Sequence, residues 1–432
     1  MTLIKKSHFL KHNAVFFFGS VIVGTLNYLY YPIIGRLMEP AAFGELQVLV
    51  SLFLQFTIFL NVLGMVSVTI LSNYTQLDKA HRVLFEIEKL SVCVALVMLA
   101  ISIIFGGWLQ AQLRFESSIP FMALALALLV SIPLTFRSSY ARARKRFGIA
   151  SMSQLIGAAT KVIFSAGLII IGLGVTGAIF GIVIAQFVAF LYAARYAARI
   201  GFNRPVDTNY KTRPDIRVVL PELKFGGVTF ISLLTVTLMM SIDVIAVKYF
   251  FDAHTAGLYA GIATVARIIF FLATPIAQVL IPLVTVTASL KQNVVLLLKS
   301  LVLTVGICGI VLLLCFIMPE FIVKILMGSS YSAYAYLLPQ LALVVFIISI
   351  VNLVFMYYLA LRQKMIMVIG IISFGVLLSL VLMWHDTPRA IVQSMLLGSI
   401  FTLIATGIYV LVTLKRGLRD AKQNDFNRDS HL

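Results

Sequence analysis

Long apolar stretches separated by short polar intervals run along the whole of this chain. Twelve stretches can be read, at 14–36, 46–73, 90–108, 119–136, 150–172, 175–197, 225–248, 257–287, 294–318, 332–359, 365–384 and 390–413. Each is close to the roughly 20 residues a helix needs to cross a bilayer. The expectation is an all-α polytopic membrane protein with about twelve transmembrane helices.

The polar intervals are not equivalent. Of 34 Lys and Arg residues, 27 lie before the first segment, in every second interval, or after the last segment. They include Lys5, Lys6 and Lys11, the cluster Arg142, Arg144, Lys145 and Arg146, and seven between the sixth and seventh segments. The opposite intervals and their edges carry five: Arg36, Arg114, Lys248, Lys324 and Arg389. Cytoplasmic loops retain Lys and Arg, so this partition predicts that both termini are cytoplasmic. The first apolar run exceeds signal-peptide length and lacks a small-residue cleavage pattern, so it reads as a retained helix.

Composition narrows the class further. The chain is 61% hydrophobic, well above the apolar share of a soluble domain. A net charge of +18 on a folded surface would suggest nucleic acid. Here the charges alternate with membrane segments, which assigns them to topology and to anionic lipid headgroups. No nucleic-acid partner is expected. Cys93, Cys308 and Cys315 form no disulfide framework, because the last two lie two turns apart on one helix. All three read as packing residues buried in the membrane.

The longest strongly polar interval, 199–224, lies near the midpoint and separates six segments from six. This predicts an N-terminal lobe at 1–198, a cytoplasmic linker at 199–224, and a C-terminal lobe with a basic tail at 225–432. The halves match weakly. Arg36-Leu-Met-Glu-Pro-Ala-Ala-Phe43-Gly44 parallels Lys248-Tyr-Phe-Phe-Asp-Ala-His-Thr-Ala256-Gly257, and Tyr140 through Arg144 and Arg146 parallels Tyr358 through Arg362 and Lys364. Six helices per half give both halves the same orientation, so this is a parallel repeat of the kind found in rocking transporters.

Three local carriers join this pattern: Gly35-Arg36-Leu37 through Phe43-Gly44, Arg144-Lys-Arg-Phe147, and Leu173-Gly174-Val-Thr-Gly177-Ala-Ile-Phe-Gly181. Together they resemble the MOP transporter superfamily, and within it the bacterial polysaccharide-unit flippases of O-antigen and exopolysaccharide synthesis. The resemblance spans nearly the whole chain. It implies a V-shaped pair of six-helix lobes like that of MATE transporters, set in the bacterial inner membrane. It also implies export of an undecaprenyl-pyrophosphate-linked oligosaccharide, with polysaccharide polymerase and glycosyltransferases as neighbours in the pathway. Lipid II flippases of the superfamily usually carry two further helices, for which this chain has no room. That departure favours the oligosaccharide branch.

Catalytic signals are absent from the sequence. Gly172-Leu-Gly174-Val-Thr-Gly177 spells the dinucleotide fingerprint, which needs a strand before it and a helix after it. Between two hydrophobic helices it reads as a hairpin turn, with Gly177 and Gly181 spaced for close helix contact. There is no His-Glu-x-x-His, phosphate-loop lysine or Gly-x-Ser-x-Gly motif, and no cofactor or metal is expected.

The candidate site residues are charges inside segments. Lys161 lies about 17 Å into the fifth segment, close to the bilayer midplane. Arg267 and Asp243 fall in the outer parts of the eighth and seventh. Intramembrane charges face a cavity or a partner. Two readings therefore stand together: an Asp243–Arg267 ion pair, and Lys161 with Arg267 attracting an anionic headgroup in a central cavity. Asp243, as the sole carboxylate read well inside a helix, is the candidate for coupling to H⁺ or Na⁺. Arg36 and Lys248 suit interfacial anchoring, or closure of an outer gate. The cluster around Arg144 suits topology, or contact with a pyrophosphate at the inner leaflet. Tyr28, Tyr30 and Tyr31 read as an interfacial aromatic belt, with sugar stacking as the alternative. Pro275 and Pro282 are expected to bend the eighth helix for gating.

Two rival functions remain at this point. A multidrug or organic-cation antiporter would favour carboxylates in the cavity, where this chain offers two cations and one acid. A membrane-embedded glycosyltransferase or polymerase would need a large outer loop with paired carboxylates, which is not visible.

Overall fold

The computed structural model describes residues 22–73, 77–202, 216–284 and 289–429. Lys5, Lys6 and Lys11, and the linker residues Arg204, Lys211 and Arg213, lie outside the described residues. The N-terminal lobe holds α1 (22–37), α2 (Pro40–Asn73), α3 (Leu77–Gln112), α4 (Ile119–Ala143), α5 (Phe147–Leu168) and α6 (Gly174–Arg199). The C-terminal lobe holds α7 (Ile216–Phe250), α8 (Ala253–Ala266), α9 (Ile268–Leu283), α10 (Leu290–Ile317), α11 (Pro319–Leu326), α12 (Leu338–Ala360), α13 (Met365–Met383) and α14 (Pro388–Asp429).

Ten stretches among the described residues are long and apolar enough to cross a membrane. One of them, Phe147–Arg199, contains both α5 and α6 folded back on each other. The first segment, begun outside the described residues, continues as α1. The chain is thus an all-α multi-pass membrane protein.

Local chemistry sets where helices begin and turn. Asp252 caps α8 by accepting a hydrogen bond from the Thr255 N–H at 3.0 Å, and Ser289 caps α10 through the Gln292 N–H at 3.3 Å. The α5–α6 hairpin is made by a widened turn at Ile169–Leu173, where Gly172 and Gly174 take φ of 93° and 48°. That backbone region is open to glycine at little cost. Beyond the turn, a Cβ at Gly177 would stand 2.8 Å from the Leu173 side chain, and one at Gly181 would overlap the Ser165 backbone. The two glycines therefore let α6 lie directly on α5, as their spacing predicts.

Two departures from the expected segments matter for function. The eighth segment is broken into α8 and α9 at Arg267, about two turns before Pro275. Arg267 has φ −65° and ψ −10°, and its side chain is drawn to α7, whereas α9 runs on through Pro275 and ends just after Pro282. The break therefore comes from a side-chain tether and not from the prolines. The second departure lies between the ninth and tenth segments, where α11 and a 3₁₀ stretch at Ser329–Leu337 form a small structure of their own.

The repeat is visible in matching turns. Arg146 N–H donates to Ala141 O at 2.8 Å after α4, and Gln363 N–H to Tyr358 O at 3.0 Å after α12. Lys145 and Arg362 occupy the left-handed position in each, at φ 57° and 56°. This register pairs Tyr140 with Tyr357, one residue away from the alignment suggested by side chains alone.

Candidate functional site

The two lobes meet most intimately at the end that carries Arg36 and Lys248. Gly44 of α2 and Gly257 of α8, matched positions of the repeat, touch across the lobe boundary. A Cβ on Gly44 would lie 2.9 Å from the Gly257 Cα, and one on Gly257 would overlap the Pro40 carbonyl. Beside this backbone contact, Lys248 Nζ reaches Glu45 Oε1 at 3.4 Å, and both side chains are almost wholly buried. Glu45 Oε1 also accepts the Glu116 N–H at 3.1 Å, and the Phe115 ring lies 5.2 Å from Lys248 Nζ. The chain therefore satisfies an ion pair that would be costly to bury unaided.

A second contact closes the same end. Tyr331, in the 3₁₀ stretch, donates to Gly35 O at 3.3 Å and packs its ring edge-on against Phe43. Arg36 Nε donates to Leu326 O at 3.2 Å, and its Nη2 reaches Ile325 O and Lys324 O (3.5 Å for the latter). Those are carbonyls of the last turn of α11, the place where a helix favours a cation. We call this the gate end. The opposite end, with Arg144 and Arg362, is the basic end.

At mid-depth, α1 lies between the lobes and presents three tyrosines. Lys161 of α5 donates to Asn27 Oδ1 at 2.7 Å, with Nζ 4.5 Å from the Tyr30 ring centroid and 6.0 Å from that of Tyr31. On the other side, Tyr28 and Tyr31 pack on Phe271 of α9, with ring centroids 5.7 and 6.2 Å apart. All three tyrosines are buried, and among the described residues the Tyr28 and Tyr30 hydroxyls have no hydrogen-bond partner. This corrects the expected interfacial belt: the rings pack between the lobes because α1 is enclosed by α5 and α9.

One turn before Phe271, Arg267 Nη2 donates to Met240 O at 2.8 Å and to Asp243 Oδ1 at 3.2 Å. Tyr259 OH donates to the other Asp243 oxygen at 3.2 Å. The pair borders a small enclosed cavity of about 10 Å³, lined otherwise by apolar side chains such as Met239, Leu341 and Met395. The anticipated Asp243–Arg267 pair therefore forms, within the C-terminal lobe.

Asp243 is not the sole interior carboxylate. Glu45 and Glu88 are also buried, the latter bonded to Arg137 beneath the Phe202 ring. Both sit just outside the apolar segments in the sequence, but α2 and α3 begin earlier than those segments and carry the acids inside. Lys248, read as a helix-end anchor, is likewise buried by its partner. Cys93 corrects a further expectation, since it is exposed on α3 while Cys308 and Cys315 are buried.

The structure brings Lys161 and Arg267 to opposite sides of α1. It does not bring Arg36 or Arg144 to them. Arg36 is at the gate end, and Arg144 is exposed at the basic end, its guanidinium on the Tyr140 hydroxyl at 3.3 Å. Pro275 lies within α9 beyond Phe271, and Pro282 falls in the last turn of that helix. The Glu45–Lys248 pair was missed, although its members flank the two repeat-matched loops.

Comparison with known proteins places this arrangement. The model of the polysaccharide biosynthesis protein family matches residues 9–288. The chain belongs to that family. No curated protein sequence matches it significantly. Among solved structures, this family member resembles an inward-facing multidrug resistance MATE family transporter of the MOP superfamily, with a TM-score of 0.74 at 12% identity over 92% of this chain and 96% of the other. It also resembles the lipid II flippase MurJ in an inward closed conformation, with a TM-score of 0.73 at 13% identity over 92% and 87%. An outward-facing MATE transporter of the MOP superfamily gives 0.67 at 12% identity over 93% and 95%. The family member thus has the MATE-like fold expected from the sequence and belongs to a family of polysaccharide biosynthesis proteins.

Proposed function

We propose that this protein flips undecaprenyl-pyrophosphate-linked oligosaccharide repeat units across the bacterial inner membrane by alternating access. The basic end is cytoplasmic on this reading, with both termini there, and the gate end faces outward. The observation that carries it is the pair of cations from different lobes, Lys161 and Arg267, flanking the tyrosine face of α1. A diphosphate entering a low-dielectric cleft needs compensating positive charge, and its attraction to that charge is far stronger there than in water. The tyrosine rings, buried between α5 and α9 in this state, would meet sugars only when the lobes part.

The closed gate end supports an inward-facing resting state. That state is occluded toward the basic end, where Phe59 of α2 meets Phe230 of α7 with ring centroids 5.6 Å apart and a Cβ on Gly226 would stand 2.8 Å from Val66. The likeness to the inward-facing MATE transporter and to the inward closed MurJ agrees with it. On the α1 side, Ile22 and Thr25 of α1 and Gln278 and Val279 of α9 are exposed toward the basic end. An opening there would leave the lipid tail in the bilayer while the headgroup enters. Asp243 supplies the coupling group. Its two oxygens are held by Arg267 and Tyr259, so an anion that draws Arg267 away frees the carboxylate for H⁺ or Na⁺.

Export tests the reading in cells that depend on this protein for surface polysaccharide. Lys161→Ala should abolish export with unchanged protein level and leave lipid-linked oligosaccharide inside, while Lys161→Arg retains part of the activity. Full export by Lys161→Ala would remove the anion-binding role. The organic-cation antiporter reading predicts the reverse dependence, with Asp243 essential and Lys161 dispensable.

A further inference from the structure

We infer that Arg142, with Ser139 and the notch at Gly64, forms a loading subsite for a phosphate-bearing lipid headgroup at the basic end of the N-terminal lobe. The inference rests on the proposed function above for its place in transport, and on independent geometry for the site itself.

Arg142 lies in the last turn of α4, where a cation would ordinarily stretch toward water. Instead its side chain folds back along the helix. Nη2 donates to Ser139 Oγ at 2.9 Å and rests against α2 at Gly64, 3.1 Å from where a Cβ would stand. The same absent Cβ would meet Ser139 Oγ at 2.9 Å and the Thr135 methyl at 3.3 Å. Gly64 therefore makes the recess in which the guanidinium sits.

The group is partly buried, and no carboxylate pairs with it among the described residues. Its neighbour Arg137 shows the contrasting solution, a buried bond to Glu88. A guanidinium has five N–H donors in a fixed fork, and one neutral hydroxyl leaves most of them for an anion. Bidentate bonding to phosphate oxygens uses that fork fully. The position, against α2 in the N-terminal lobe and close to the basic end, suits a headgroup on its way to Lys161.

Two sources could supply such a headgroup: the diphosphate of the carrier lipid and the phosphate of a bulk anionic phospholipid. Binding to the purified full chain in phosphatidylcholine nanodiscs separates them, with undecaprenyl diphosphate, phosphatidylglycerol and phosphate-free undecaprenol as probes. Arg142→Gln should weaken undecaprenyl diphosphate binding about tenfold or more, the loss of one charge-assisted contact, and Arg142→Lys should lose less. Gly64→Ala, which keeps the charge but crowds the recess, should weaken it in the same direction and decides the matter if Arg142→Gln fails to fold. An equal loss for phosphatidylglycerol assigns the subsite to bulk lipid, and a loss confined to the diphosphate assigns it to the carrier. Unchanged binding of both lipids to Arg142→Gln and Gly64→Ala, with Lys161→Gln weakened, overturns the subsite and leaves the central site standing. Unchanged binding in Lys161→Gln as well overturns the proposed function itself.

Discussion

The two lobes share a topology and differ in how they settle buried positive charge. In the C-terminal lobe, Arg267 is held by Asp243 and the exposed Arg362 by Glu222, while the buried Lys248 takes its acid from across the gate. In the N-terminal lobe Arg137 is likewise paired, with Glu88, but Lys161 and Arg142 are met by an amide oxygen and a hydroxyl, and no carboxylate pairs with either among the described residues. Neutral acceptors leave the charge of a cation uncancelled. On the proposed reading, Lys161 and Arg142 of the N-terminal lobe are the cations left for an anion, whereas Arg267 of the C-terminal lobe is already paired.

The largest test of this contrast is Asp243→Asn. It strands Arg267 in an apolar setting, and removing one partner of a buried pair costs about 3–5 kcal/mol. Folded protein should fall accordingly, measured by thermal melting in detergent. Adding Arg267→Gln should restore the level. If export returns as well, Asp243 has no coupling role. If the double variant folds but stays inactive and any pH or Na⁺ dependence disappears, the coupling role holds.

A smaller effect probes the matched helix starts. Asp252 caps α8 through the Thr255 N–H, whereas no side-chain bond is seen at Glu39, which precedes α2 at the equivalent point. Asp252→Ala should cost about 1 kcal/mol, while Glu39→Ala should change melting by less than about 0.5 kcal/mol. Equal effects would show that the two starts are stabilised alike.

A small stability change is also expected at Lys161. Replacing it with Met leaves no ion without its partner, so melting should shift by under about 1 kcal/mol even though transport is lost. A large destabilisation would mean that Lys161 holds the N-terminal lobe together, and the contrast between lobes would fail.

Much of the helical, multi-pass architecture was legible in the sequence, because segment length responds to the bilayer itself. The site was only partly legible. Glu45 and Glu88 look like loop acids, since a hydropathy pattern ends where a charge begins even when the helix does not. Pro275 and Pro282 suggest a bend in the eighth segment, whereas the break falls at Arg267, because a tether to Met240 O and Asp243 leaves no local sequence mark. Tyr28, Tyr30 and Tyr31 resemble interfacial anchors, and only the enclosure of α1 by both lobes shows otherwise. In each case the missing information was which face a helix turns to its neighbour.

The contact of Gly44 with Gly257 and Pro40 has a mechanical meaning. Side chains that interlock must change rotamers before two bodies can slide, and each change adds a small barrier. Here bare backbone rests on bare backbone at matched points of the repeat. Such a surface has no teeth to disengage, so under the proposed alternating access the lobes would roll about it like the ends of a rocker. The Glu45–Lys248 pair and the Tyr331 clasp would then act as detents that set where the rocker stops.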